Sequence, residues 1–98
     1  MDIVRQTLNV NTPSILGTDT ALEANTARIG WRIQNCGTNI LYVRLGTAAS
    51  TTLFHFALSK CTANDDGLGA SAVQLDGVVY TGVISVAGVA KRYVVIEH

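Results

Sequence analysis

The constraint that narrows the fold most is a period of two. In RIGWRIQNCGTNILYVRLG, residues 28–46, apolar side chains recur at Ile29, Trp31 and Ile33 and again at Leu41, Val43 and Leu45. Such alternation matches a pleated strand with one buried face and conflicts with the 3.6-residue repeat of a helix. The two runs are joined by Asn35-Cys36-Gly37-Thr38-Asn39, where Gly and Asn tolerate positive φ. The segment reads as a hairpin in which Ile33 meets Leu41, Trp31 meets Val43 and Ile29 meets Leu45, the centre of a core.

The rest of the chain repeats the theme in shorter pieces. Residues 2–10, DIVRQTLNV, read as a first strand, an edge strand or an N-terminal arm spanning 1–13. Pro13 would end it, because proline donates nothing to a ladder. A short strand is expected around Thr20–Leu22. LFHFALSK (53–60) reads as a strand, CTANDDGLGAS (61–71) as a turn-rich loop and Val73–Leu75 as a brief strand. Asp76-Gly77 is a two-residue turn signal. VVYTGVISV (78–86) and KRYVVIE (91–97) read as a closing hairpin around Ala87–Ala90. The best helical window, DTALEANTA (19–27), is too short to stand alone. Short strands with regular turn signals indicate one all-β domain over residues 1–98, a small antiparallel sandwich or barrel.

Composition adds a second constraint. Charged residues make up 14% of the 98, against about 25% in an average globular protein. A surface so poor in charge suits burial against other molecules, and we expect assembly. The formal net charge is zero, which removes the footprint of a nucleic-acid binder. Met1–Arg5 lacks the charged start and apolar run of a signal peptide, and no apolar run approaches the ~20 residues needed to cross a bilayer. The expected partners therefore include neither nucleic acid nor membrane.

Chemistry-bearing motifs are scarce. There is no G-x-S-x-G, H-E-x-x-H, P-loop or G-x-G-x-x-G, and we expect no catalysis and no cofactor. Cys36 and Cys61 are expected as free thiols. With His55 and His98 they could suggest zinc, but no C-x₂-C or H-x₃-H spacing supports it. Asp65-Asp66-Gly67 lacks the spacing of an EF-hand loop, so no metal is expected. What remains is a set of arginines. In the hairpin register Arg28, Arg32 and Arg44 share the non-core face with Tyr42, with Arg32 opposite Tyr42 and Arg44 opposite Gly30. Guanidinium groups could then stack on the ring and over the glycine. That face reads as a solvated surface laced with ion pairs, as an assembly interface anchored by arginine, or as a platform for single-stranded nucleic acid. His55, between Phe54 and Phe56, reads as a surface or interface histidine. Arg28, Arg32, Tyr42, Arg44 and His55 are the candidate interface residues.

IQNCGTNILYVRLG (33–46), DDGLG (65–69), YTGVISVAG (80–88) and VVIE (94–97) together resemble small bacteriophage structural proteins of the head decoration, or cement, type. The likeness covers about 70 residues and leaves the first 27 unmatched. It implies a β-sandwich or jelly-roll-like module on the outer surface of a virion head. Its partners would be the major capsid protein and other copies of itself, with a homotrimer favoured. Its work would be mechanical, clamping neighbouring capsomers through many modest contacts multiplied by avidity. The first strand could add to the sheet edge of a neighbour. The alternative is a tail-associated adaptor or host receptor-binding module, with exposed aromatics and the Asp65-Asp66-Gly67 loop as its contact surface.

Overall fold

The computed structural model describes residues 5–10, 17–75 and 78–97. It is all-β: β1 (Arg5–Val10), β2 (Gly17–Leu22), β3 (Trp31–Asn35), β4 (Leu41–Leu45), β5 (Phe56–Leu58), β6 (Ser71–Gln74), β7 (Ile84–Gly88) and β8 (Arg92–Glu97). Two four-stranded sheets form, sheet A in the order β1-β8-β3-β6 and sheet B in the order β2-β7-β4-β5. All pairings are antiparallel. Within the sheets β1 pairs with β8, β2 with β7, β3 with β6 and β4 with β5. The connectivity is that of one long hairpin folded over into two layers.

That topology corrects both hairpins expected from sequence. β3 and β4 do not pair with each other: one lies in sheet A, the other in sheet B. β7 and β8 part in the same way. The chain between β3 and β4 turns a corner rather than doubling back, and Asn35 holds it there. Its amide nitrogen donates to Asn39 O at 2.8 Å, Leu58 O at 3.1 Å and Ser59 O at 3.2 Å, while its Oδ1 accepts from Gly37 N at 3.0 Å. A side chain that bonds four backbone groups on two segments replaces the ladder that a hairpin would have made.

The parity of the alternation nevertheless holds. Trp31 and Ile33 point inward from sheet A, and Leu41 and Val43 point inward from sheet B; all four are buried. With Ile84, Val86, Tyr93 and Val95 they form the core between the layers. The indole N–H of Trp31 donates to Gln74 Oε1 at 3.0 Å, so the largest buried ring keeps its polar atom satisfied. Ile29 departs from the expectation: it is 51% exposed, whereas Arg28 is buried.

Other segments are shorter or shifted. β5 covers three of the eight residues expected to extend, and β6 begins two residues before Val73. Residues 78–83 lie outside the strands; Val79 and Tyr80 pack against the core instead. The window 19–27 is strand and turn, not helix. β1 is an edge strand paired to β8 of its own chain. Residues 2–4, Pro13 and the Asp76-Gly77 turn lie outside the described residues, as does His98. Cys36 and Cys61 are free thiols, the second fully buried.

Two outcomes check this packing. A Cβ on Gly69 would sit 1.8 Å from the carbonyl oxygen of Asn35, whereas one on Gly67 meets nothing within 4 Å and suffers only its φ of +79°. Gly69→Ala should therefore cost about 3 kcal/mol or more and Gly67→Ala about 1 kcal/mol, read as urea-midpoint shifts. Burial, then the nearby charge of Asp19, pushes the Tyr93 phenol above its ordinary value. Its folded-state pKa is raised, so Tyr93 adds stability at neutral pH that is lost as pH climbs past the unfolded tyrosine value near 10. In an ultraviolet titration one of the three tyrosines should ionise only together with alkaline unfolding.

Candidate functional site

The three arginines expected on one face go to three places. The Arg28 guanidinium is sealed inside the molecule. Its Nε pairs with Glu97 Oε2 at 3.0 Å; Nη1 donates to Tyr80 O and Gly82 O, both at 3.0 Å, and Nη2 to Glu23 O at 2.6 Å. A buried cation is tolerable only when its donors are met, and here one fork ties the end of β8 to the chain beyond β2 and the approach to β7. Arg28 is thus a structural clamp, not an interface residue.

Arg32 is exposed on the outer face of sheet A. The register places it between Ile96 of β8 and Val73 of β6. Arg44 and Tyr42 lie on sheet B, so the expected stack of Arg32 on Tyr42 and the pairing of Arg44 with Gly30 do not form. Arg44 sits opposite Ser85; its Nη1 donates to Thr47 O at 2.7 Å and its guanidinium runs over Gly46. The Tyr42 ring meets Phe54 instead, with centroids 4.9 Å apart. The His55 ring accepts a hydrogen bond from Leu45 N at Nδ1, 3.0 Å, and the His55 backbone N–H donates to Val43 O at 2.7 Å, so this exposed residue prolongs the β4 ladder. The arginine–aromatic platform drawn for a single nucleic-acid strand does not assemble.

The two outer faces of the sandwich differ. On sheet B the segment 46–50 folds across β7. Ala49 N donates to Ser85 Oγ at 3.0 Å, Ser85 Oγ donates to Gly46 O at 2.6 Å, and Thr18 Oγ1 donates to Ala49 O at 2.6 Å. Small outward residues, Ser85 and Ala87, let this strap lie close. They explain why all five residues of β7 are buried. On sheet A the outward positions are Val73 and Arg32, both exposed, flanked by half-buried Val94, Ile96 and Gln34, with exposed Leu75 just beyond β6. The solvent side of an antiparallel sheet is ordinarily polar. This one sets Val73, Val94 and Ile96 beside two guanidinium groups: Arg92, at the start of β8, is paired with Asp65, whereas Arg32 has no hydrogen-bond or ion-pair partner among the described residues. The signal was present in YVVI (93–96), an unbroken apolar run that marks a strand covered on both faces.

The carboxylates of the acidic loop are committed to the loop's own backbone and to β8. Asp66 accepts from Thr62 N at 2.8 Å, Ala63 N at 2.9 Å, Leu68 N at 2.9 Å and the Thr62 hydroxyl. The Thr62 hydroxyl, then the backbone N–H of Leu68, holds its carboxyl well below the usual range. Asp65 is held low first by its bond to Arg92, at 2.8 Å from Nε. Burial is the main cause that pushes the Cys36 thiol up, away from thiolate chemistry. Among the described residues no three His, Cys, Asp or Glu side chains gather in a way that could hold a metal ion.

No protein-family model, curated protein or solved structure matches this chain.

The clamp is open to a direct check. Arg28→Met strips Glu97 of this ion pair and leaves three carbonyls without their donor. It should cost about 3–5 kcal/mol in chemical denaturation. Arg28→Lys should recover only a minor part, since one ammonium cannot reach four acceptors held by a planar fork.

Proposed function

We propose that this protein is a non-catalytic decoration protein of a bacteriophage head, which docks by the outer face of sheet A. The observation that carries the reading is Arg32, a guanidinium without a partner among the described residues, set in an exposed aliphatic sheet face. Arginine is favoured where an interface needs a charged anchor among apolar contacts. The occupant is the major capsid protein, which would offer a carboxylate to Arg32 and an apolar surface to Val73, Leu75 and Ile96. Copies of the chain gather around each site on the shell, a trimer being the favoured number. Three features support this: the likeness of residues 33–46, 65–69, 80–88 and 94–97 to cement proteins; the low charge content; and, as a fold-level analogy, the use of jelly rolls in capsid domains.

Gold-labelled antibody on intact particles tests the placement: label over the head is expected. Label at the tail tip would favour the adaptor reading, and unlabelled particles would overturn both. On heads depleted of the protein, Arg32→Glu should rebind at least about tenfold more weakly than wild type with an unchanged melting temperature. Equal rebinding would remove sheet A from the contact.

A further inference from the structure

The geometry points to a second site on the opposite sheet, a groove for an acidic saccharide. It is a concavity of about 570 Å³ between the β3–β4 corner, the outer side of β4 and the turn after β7. That volume lies within the range of about 300–1,000 Å³ typical of small-molecule sites. One part of its lining is apolar: Tyr42, with Ile40 and Val89, both of them exposed. The other part is polar, made by Thr38, Asn39, Thr51, Ser59 and Lys60.

The polar part is what defines the ligand. Outside the groove the hydroxyls and amides of Thr18, Asn25, Asn35, Ser50, Thr62, Gln74 and Ser85 are spent on the protein's own backbone or side chains, while those of Thr26, Thr47, Asn64 and Thr81 are scattered singly and face no concavity of this size. In the groove no side-chain hydrogen bond or ion pair engages Thr38, Asn39, Thr51, Ser59 or Lys60 among the described residues. Hydroxyl and amide groups both donate and accept, which matches the hydroxyls of a sugar, themselves donors and acceptors. The Tyr42 ring offers a flat apolar surface for the C–H face of a pyranose, and Phe54 steadies it from the side at 4.9 Å. Lys60 is the one cation of the lining. A single ammonium pairs with one carboxylate of a bound sugar rather than with the continuous charge of a nucleic-acid backbone. The chemistry selects a uronic acid or another carboxylate-bearing sugar.

The groove is separate from the docking face of sheet A, so the two readings fail independently. The test is titration of the isotope-labelled protein with digalacturonate, with maltose as the neutral arm, followed by amide shifts. Digalacturonate should move the signals of Tyr42, Lys60 and Val89, and maltose should bind about tenfold more weakly. Lys60→Gln, a change at an exposed position, should weaken digalacturonate about tenfold and leave maltose unchanged. Tyr42→Leu should weaken both by about tenfold or more, with the dispersion of the spectrum reporting that the fold is intact. Absence of shifts at millimolar probe, shifts confined to sheet A, or wild-type affinity in Lys60→Gln would overturn the proposal.

Discussion

The structure depends on two polar pins set at opposite ends of β3. Ahead of it, Arg28 carries a full charge into the interior and spends its donors on Glu97 and on carbonyls of Glu23, Tyr80 and Gly82. Behind it, Asn35 joins the corner at Gly37 and Asn39 to the end of β5. Apolar burial drives the layers together but has no direction. A small core could slide or rotate between two sheets without losing much area. Hydrogen bonds to fixed carbonyls cannot, because an orphaned buried donor costs more than the bond itself contributes. The pins therefore select one arrangement of the two sheets from the many that would bury Trp31.

The same polar economy explains why the two outer faces differ. Sheet B carries Ser85 and Ala87 outward on its central strand, and the strap 46–50 covers them with its own hydrogen bonds. Sheet A has Val73, Val94 and Ile96 outward, and exposed Arg32 stands among them. In a chain with so little charge, one sheet is finished by its own loop, and the other presents the surface that we assign to docking. The groove around Tyr42 lies on the other side, where the hydroxyls of Thr38, Thr51 and Ser59 stand beside exposed Ile40 and Val89.

What sequence revealed and what it withheld follow from the range of each interaction. Alternation depends only on the pleat, so the inward set Trp31, Ile33, Leu41 and Val43 was legible without knowing any partner. Pairing is non-local, and two adjacent strands joined by Gly and Asn look alike whether they zip together or part into separate sheets. The deciding contact, Asn35 with Leu58 O and Ser59 O, spans more than twenty residues and leaves no local pattern. Arg28 was misplaced for a related reason. Arginine is rarely buried unless paired, and three of its acceptors are backbone carbonyls, which every sequence possesses. Of the interface candidates, Arg32 stands exposed on sheet A, Tyr42 packs against Phe54, and Arg44 and His55 bond backbone groups near the β4 end of sheet B.

The central claim is that the uncovered face of sheet A is where this protein meets its shell. Hydroxyl-radical footprinting of the free and particle-bound protein tests it most directly, because aliphatic and aromatic side chains report their own exposure. The account requires Val73, Leu75 and Ile96 to become protected on the particle while Phe54 and Leu53 stay reactive. Protection of Phe54 and Leu53 with Val73 and Leu75 still reactive would contradict it.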